Sequence, residues 1–305
     1  MFHASAAERR LAELAVLGVM VVWGGNFIVV KSAVAVLPPV GFTFLRFALA
    51  SLVLLVLLRL REGNIGLPRR DFVSIAALGA LGFGAYQILW TTGLTTVGAG
   101  DSALLIAATP VMVALLAVFA RTDVLTPLKL AGVLISFAGV AIVVASGPGL
   151  SLGGSIVGEA ITLGAAICWA IYTAFAGPYL RRHSSLRATA WATVAGTVVL
   201  APLALLQLAA VDGPAITPGI VGAVLYAGLL AAGVSNVIVM NGIKVVGPTR
   251  TAALQFLVPA LAVVFAAIFL NEAIRPGQVV GGLIIVAGVV LTRASPARWG
   301  EARPT

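Results

Sequence analysis

The sequence predicts an all-α membrane protein of ten transmembrane helices, arranged as two inverted-topology five-helix repeats. Three observations predict it. The 305 residues are 61% hydrophobic and only 10% charged, with a mean hydropathy of +1.12. The apolar residues fall into ten runs, each near the ~20 residues that a membrane-crossing helix needs. The second half of the chain also repeats the first at glycine, proline, tryptophan and acidic positions.

A soluble domain runs about 45–50% apolar and about 25% charged. A soluble chain as apolar as this one would lack the polar surface to cover itself. That excludes a cytosolic enzyme, a soluble binding module and a disordered regulator. The apolar stretches are continuous rather than alternating, which excludes a β-barrel. One cysteine, Cys168, leaves no disulfide framework or cysteine-built metal site. The two histidines, His3 and His183, lie outside the apolar runs.

The runs cover residues 11–36, 40–60, 72–94, 102–120 and 127–146, then 156–180, 188–211, 218–243, 249–270 and 276–292. The first is too long for the core of a signal peptide and reads as a retained helix. The connections are short and leave no room for a soluble domain.

Lysine and arginine placement orients the chain. With the N-terminus inside, sixteen of the nineteen basic residues fall on the inner side, from Arg9 and Arg10 to Arg298 and Arg303. Outer loops hold only Arg275, while Lys31 and Arg46 fall within helices. The net charge of +9 is therefore a topology signal, not a nucleic-acid footprint. Both termini are expected on the cytoplasmic side of the cell's inner membrane.

A shift of 149 positions lays the third to fifth runs on the eighth to tenth without a gap. Gly93 meets Gly242, Gly98 meets Gly247, Ala103 meets Ala252 and Pro110 meets Pro259. Asp123 meets Glu272, Pro127 meets Pro276, Gly132 meets Gly281 and Gly139 meets Gly288. A shift of 146 brings Glu13 onto Glu159, Gly18 onto Gly164 and Trp23 onto Trp169. The expected repeats span 11–147 and 156–293. Five is odd, so the second repeat enters the membrane from the opposite side, and inverted repeats characterise secondary transporters.

The first run reads Trp23-Gly24-Gly25-Asn26-Phe27-Ile28-Val29-Val30-Lys31, and the second carries Pro38-Pro39 before Leu45-Arg46-Phe47. With the duplicated order of Gly, small loop, Ala-rich helix, proline and terminal acid, the chain resembles the EamA branch of the drug/metabolite transporter superfamily. It departs from that pattern at Asp123, where the family usually has Glu, and at Val258, where Glu often precedes the proline. The resemblance implies ten helices with both termini cytoplasmic. It implies a central cavity lined by the first, third, fourth, sixth, eighth and ninth helices, with the fifth and tenth packed at the side. It also implies small-metabolite substrates, especially amino acids, usually moved outward.

Uncharged polar and aromatic residues interrupt the helices at depth. Candidates for substrate binding are Trp23 and Asn26, then Tyr86, Gln87 and Trp90, then Trp169 and Tyr172, Asn236 and Gln255, together with the cation Lys31. A mostly apolar, aromatic lining with a few placed polar groups is how small-molecule sites are built. The same residues also read as helix–helix hydrogen bonds or interfacial anchors. Arg46, expected near the outer end of its helix, reads as a gate charge or as a snorkelling side chain. Pro110 and Pro259 fall mid-run and would free the carbonyls of Ile106 and Gln255. They read as gate hinges or as static kinks. The glycines of the fifth and tenth runs read as close packing.

Gly98-Ala99-Gly100-Asp101 matches an intramembrane aspartyl protease string, but that chemistry needs a second aspartate at similar depth, and the sequence has none. No phosphate-binding Gly-Lys loop occurs. The sequence calls for no cofactor, metal or nucleic acid. Its expected partners are a small-molecule substrate and the lipid bilayer, and a bundle of ten helices suffices as a monomer. No Asp, Glu or His falls mid-membrane, so strict proton coupling is not expected.

Overall fold

The protein is described here by a computed structural model covering residues 5–93, 105–121, 123–146, 156–211, 217–270 and 273–294. The Gly98–Asp101 string, Ala103, Asp212 and Glu272 lie outside the described residues. So does the side chain of Lys31, whose backbone belongs to the first helix.

Proline starts five of the helices. It removes an N–H that has no partner in a first turn, and its fixed φ suits helix entry. The helices are α1 Ala6–Val34, α2 Pro39–Glu62, α3 Arg69–Gly93, α4 Leu105–Phe119 and α5 Pro127–Ala145, then α6 Ile156–Arg182, α7 Ser185–Leu208, α8 Pro218–Val246, α9 Pro248–Phe269 and α10 Pro276–Ala294. Nine are long and apolar enough to cross a membrane, and α4 is a shorter apolar helix, among the described residues. Side-chain caps complete four starts: Thr126 and Thr217 ahead of the prolines of α5 and α8, and Ser184 and Ser5, the last with Glu8, at α7 and α1. The Ser5–Glu8 capping box begins α1 five residues before its apolar run, because a polar first turn is helical without being apolar.

The two halves are built alike. Ser51 on α2 hydrogen-bonds Thr197 on α7 at 2.9 Å, 146 positions on. Trp23 on α1 meets Trp169 on α6 edge to face, centroids 6.2 Å apart, again at 146. Ser136 Oγ on α5 donates to the Ile285 carbonyl on α10 at 3.3 Å, at 149. Each residue thus touches its own counterpart, which is the signature of an isologous, two-fold arrangement.

The glycines complete the pattern. Gly132 packs on the backbone of Gly288, and Gly139 on that of Gly281, so α5 and α10 run antiparallel along a seam too close for side chains. Gly93 packs on Thr162 and Gly242 on Val16, its counterpart. Gly79 backs onto Ala192, and Gly228 onto Arg46.

Helical irregularities recur in both halves. Residues Ala80–Ala85 of α3 and Tyr226–Val234 of α8 are π-helical. Shifted by 149, the first segment falls on 229–234. Such wide turns leave a backbone carbonyl available and are frequent at functional sites.

The prolines differ from the sequence expectation. They do not kink a continuous helix. The backbone leaves α geometry at Ala108 and at Gln255–Phe256, where three-residue bonds run to Leu105, Ala252 and Ala253. Pro110 and Pro259 then fall in the first turn of the next helical piece, where a missing N–H costs nothing. The helix breaks ahead of each proline instead of bending over it.

Gly247 links α8 to α9 with φ 93° and ψ 160°, a region essentially closed to side-chain-bearing residues. Gly247→Ala is expected to lower stability by about 1–3 kcal/mol, read as a fall in unfolding midpoint of the purified protein in detergent. An unchanged midpoint would show that the turn relaxes freely.

Candidate functional site

Five of the sequence candidates, Trp23, Tyr86, Trp90, Trp169 and Tyr172, gather where α1, α3 and α6 meet. Trp169 is the hub. Its ring lies 5.6 Å from Phe83, 5.6 Å from Tyr86, 5.5 Å from Tyr172 and 6.2 Å from Trp23. Trp90 stacks on Tyr86, one helical turn away, with planes 3° apart. Tilted and edge-to-face contacts of this kind are favourable beyond the area they bury.

Polar atoms fix the hub. Trp169 Nε1 donates to Gln255 Oε1 at 3.2 Å, tying α6 to the break in α9. Trp23 Nε1 donates to the Ala231 carbonyl at 3.0 Å, inside the π-helical segment of α8. Tyr226 Oη donates to the Val22 carbonyl at 3.0 Å, holding α8 to α1 from the other side.

Arg46 differs most from expectation. It does not extend into solvent: it is 6% exposed, packed inside the bundle. Its Nη2 donates to Gln87 Oε1 at 3.1 Å, and its guanidinium carbon lies 5.1 Å from the Phe47 ring centroid. Phe47 in turn packs on Phe83 at 5.6 Å, so the cation adjoins the aromatic cluster. The helix α2, absent from the expected lining, therefore belongs to the site. The helix α4 adds Ala107 and Val111 to the buried cluster that holds Trp169, and packs through Val113 against Ala170 and Ala252.

Among the described residues, several polar atoms on the helices that carry the candidates are buried without a partner: Asn26 Oδ1, Arg46 Nε, Thr173 Oγ1 and Gln255 Nε2, with Asn236 Oδ1 farther along α8. Buried polar groups are nearly always satisfied, and orphans carry a cost of about 1–3 kcal/mol each. Asn236 uses its amide nitrogen locally, on the Ala232 carbonyl at 2.7 Å, and is not part of the ring cluster. A concavity of about 380 Å³ lies elsewhere, between Phe72 on α3 and Trp191 on α7, and gathers none of the sequence candidates.

Ion pairs bind the halves together at the end of the bundle rich in basic residues. Asp71 on α3 meets Arg182 at 2.8 Å and His183 at 2.7 Å, in the α6–α7 turn. Glu62, closing α2, meets Arg187 at 2.9 Å. Glu13 on α1 meets Arg293 on α10. In each pair the carboxylate comes from the first half and the base from the second. These residues stand near helix ends and in turns, where charge is ordinary, and pairing across the halves has no local signal in the sequence.

Ten apolar helices closed about a buried polar and aromatic centre define a class, the multi-pass membrane transporter. The model of the EamA-like transporter family matches residues 10–145 and again residues 156–294. The chain belongs to that family. It is similar to an uncharacterized transporter of Archaeoglobus fulgidus, 30% identical over 277 residues that cover 90% of this chain and 94% of the relative. It is similar to a probable terminal-alkyne amino-acid exporter of Streptantibioticus cattleyicolor, 31% identical over 276 residues, covering 89% and 90%. A protein of known crystal structure shares the fold, with a TM-score of 0.78 at 18% identity, over 92% of this chain and 96% of that one.

Proposed function

We propose that this chain is a secondary transporter of the cell's inner membrane, exporting amino acids and related small metabolites. Hydrophobic and aromatic amino acids fit best. The carrying observation is the buried ring cluster around Trp169, set among unpaired polar atoms where the two halves meet. Rings offer an apolar side chain its surface, and the unpaired groups offer a zwitterion its hydrogen bonds. The Streptantibioticus cattleyicolor relative supports this reading, since it is named as a probable exporter of an amino acid.

Transport proceeds by alternating access between two oppositely oriented repeats, 11–147 and 156–293, with both termini cytoplasmic. The cross-half ion pairs at the basic end then close the cytoplasmic side. Opening that side breaks Asp71 from His183 and Glu62 from Arg187, while the breaks ahead of Pro110 and Pro259 let α4 and α9 move. The substrate leaves unchanged, so the chain acts as a carrier and not an enzyme. No carboxylate belongs to the ring cluster among the described residues, which supports transport without strict proton coupling.

Counterflow in proteoliposomes tests this. Preloading with unlabelled phenylalanine, tryptophan or leucine is expected to stimulate uptake of the labelled amino acid severalfold, with or without a pH gradient. No stimulation by any amino acid would redirect the substrate to another metabolite. Dependence on a pH gradient would overturn the uncoupled mechanism.

A further inference from the structure

We infer that Arg46 is the carboxylate-binding residue of the substrate site, resting on the transport reading above. A guanidinium cannot shed its charge, and a buried charge needs a counter-charge. Arg46 is 6% exposed and its Nε has no hydrogen-bond partner. Among the described residues its one hydrogen-bond partner is the neutral amide of Gln87. No carboxylate lies within ion-pair distance of it, and Tyr86 is the only titratable group with which it interacts, among the described residues. By contrast Lys129, Arg182, His183, Arg187 and Arg293 each face an Asp or Glu.

The repeat supplies a control for packing. Gly228 backs onto Arg46 as Gly79 backs onto Ala192, and 46 and 192 differ by the same 146 positions that separate Ser51 from Thr197. Alanine meets the packing need at the matching place in the second half. Arginine at 46 therefore serves something other than helix packing. Buried arginine with an unused N–H suits a planar carboxylate, which it can grip through two parallel hydrogen bonds. A doubly charged phosphate would call for further cations around it. The adjoining rings of Phe47, Phe83 and Tyr86 place an apolar side chain beside that carboxylate.

The test uses the full chain in proteoliposomes, with L-phenylalanine, L-phenylalaninamide and 3-phenylpropionate competing against labelled phenylalanine counterflow. Wild type is expected to favour both acids over the amide by about tenfold or more, the worth of a charge-assisted hydrogen bond. Arg46→Gln is expected to flatten that preference, and Arg46→Lys to keep part of it. Gln87→Glu is the decisive variant. It supplies an internal counter-charge, so it is expected to be at least as heat-stable as wild type yet to lose preference for the acids. An amide that competes as well as the acid in wild type would overturn the assignment without any variant. So would a folded Gln87→Glu or Arg46→Gln protein that still prefers acids. If phenylalanine drives no counterflow in wild type, the amino-acid reading itself falls, and the assignment with it.

Discussion

Lys129→Met is expected to destabilise the protein by about 3–5 kcal/mol, the cost of stranding one partner of a buried ion pair. Lys129 is 1% exposed and Asp123 6%. The ammonium lies 2.6 Å from Asp123 Oδ1 and donates to the Val124 carbonyl at 2.8 Å. Side chains near a helix start point back toward its N-terminus. From the third position of α5, Lys129 therefore reaches the turn that leaves α4. Without it, among the described residues, Asp123 keeps the Val124 N–H, at 2.7 Å, and the more distant charge of Arg250, while its Oδ2 has no hydrogen-bond partner. The neutral double variant Asp123→Asn with Lys129→Met is expected to recover most of the loss, because replacing both partners of a buried pair is often nearly neutral. Unfolding midpoints of the two single variants and the double variant in detergent measure this as a coupling energy. Additive losses would show that the pair contributes little as a pair. In the second half the matching positions are Glu272 and Gln278, so the acid–lysine combination is not repeated in the sequence.

Most of the bundle was legible in the sequence, because burial in lipid writes itself as long apolar runs. The runs locate all ten helices and miss mainly their polar first turns, as at Ser5–Arg10 and at Arg69–Asp71. The repeat was legible where chemistry restricts substitution. Gly132, Gly139, Gly281 and Gly288 stand where two backbones touch, and Trp23 and Trp169 stand where the halves face each other. Hydropathy has no memory of which face a residue occupies, so it could not distinguish a snorkelling arginine from a buried one. In sequence Arg46 reads as an exposed charge, and only the packing of α2 on α3 brings Gln87, 41 residues later, beside it. The Asp71–His183 and Glu13–Arg293 pairs join residues 112 and 280 positions apart. The helix breaks were half legible: proline marks their place, but whether a helix bends over it or stops ahead of it is decided by tertiary packing.

Trp169 provides the strongest functional prediction. Trp169→Ala is expected to abolish counterflow, but a loss of about 3–5 kcal/mol of stability for a truncated core tryptophan would blur its meaning. Trp169→Phe is more informative, since it keeps a ring among Phe83, Tyr86 and Tyr172 and removes the Nε1–H that holds Gln255. Gln255 sits where α9 leaves α geometry, so this bond ties the hub of the cluster to the break in α9, the joint on which the proposed gating turns. One hydrogen bond is worth about 0.5–1.5 kcal/mol, which corresponds to a change of about twofold to tenfold in an exchange rate. Trp169→Phe and Gln255→Leu are each expected to shift the counterflow rate by that factor. Combined, they are expected to do no more than either does alone, because both delete the same tie. A site that only packs predicts the opposite, two independent losses that multiply in the double variant. The measurement thereby separates a coupled gate from a filled core: the ratio of the double variant's rate to the product of the single effects is far from one in the first case and near one in the second.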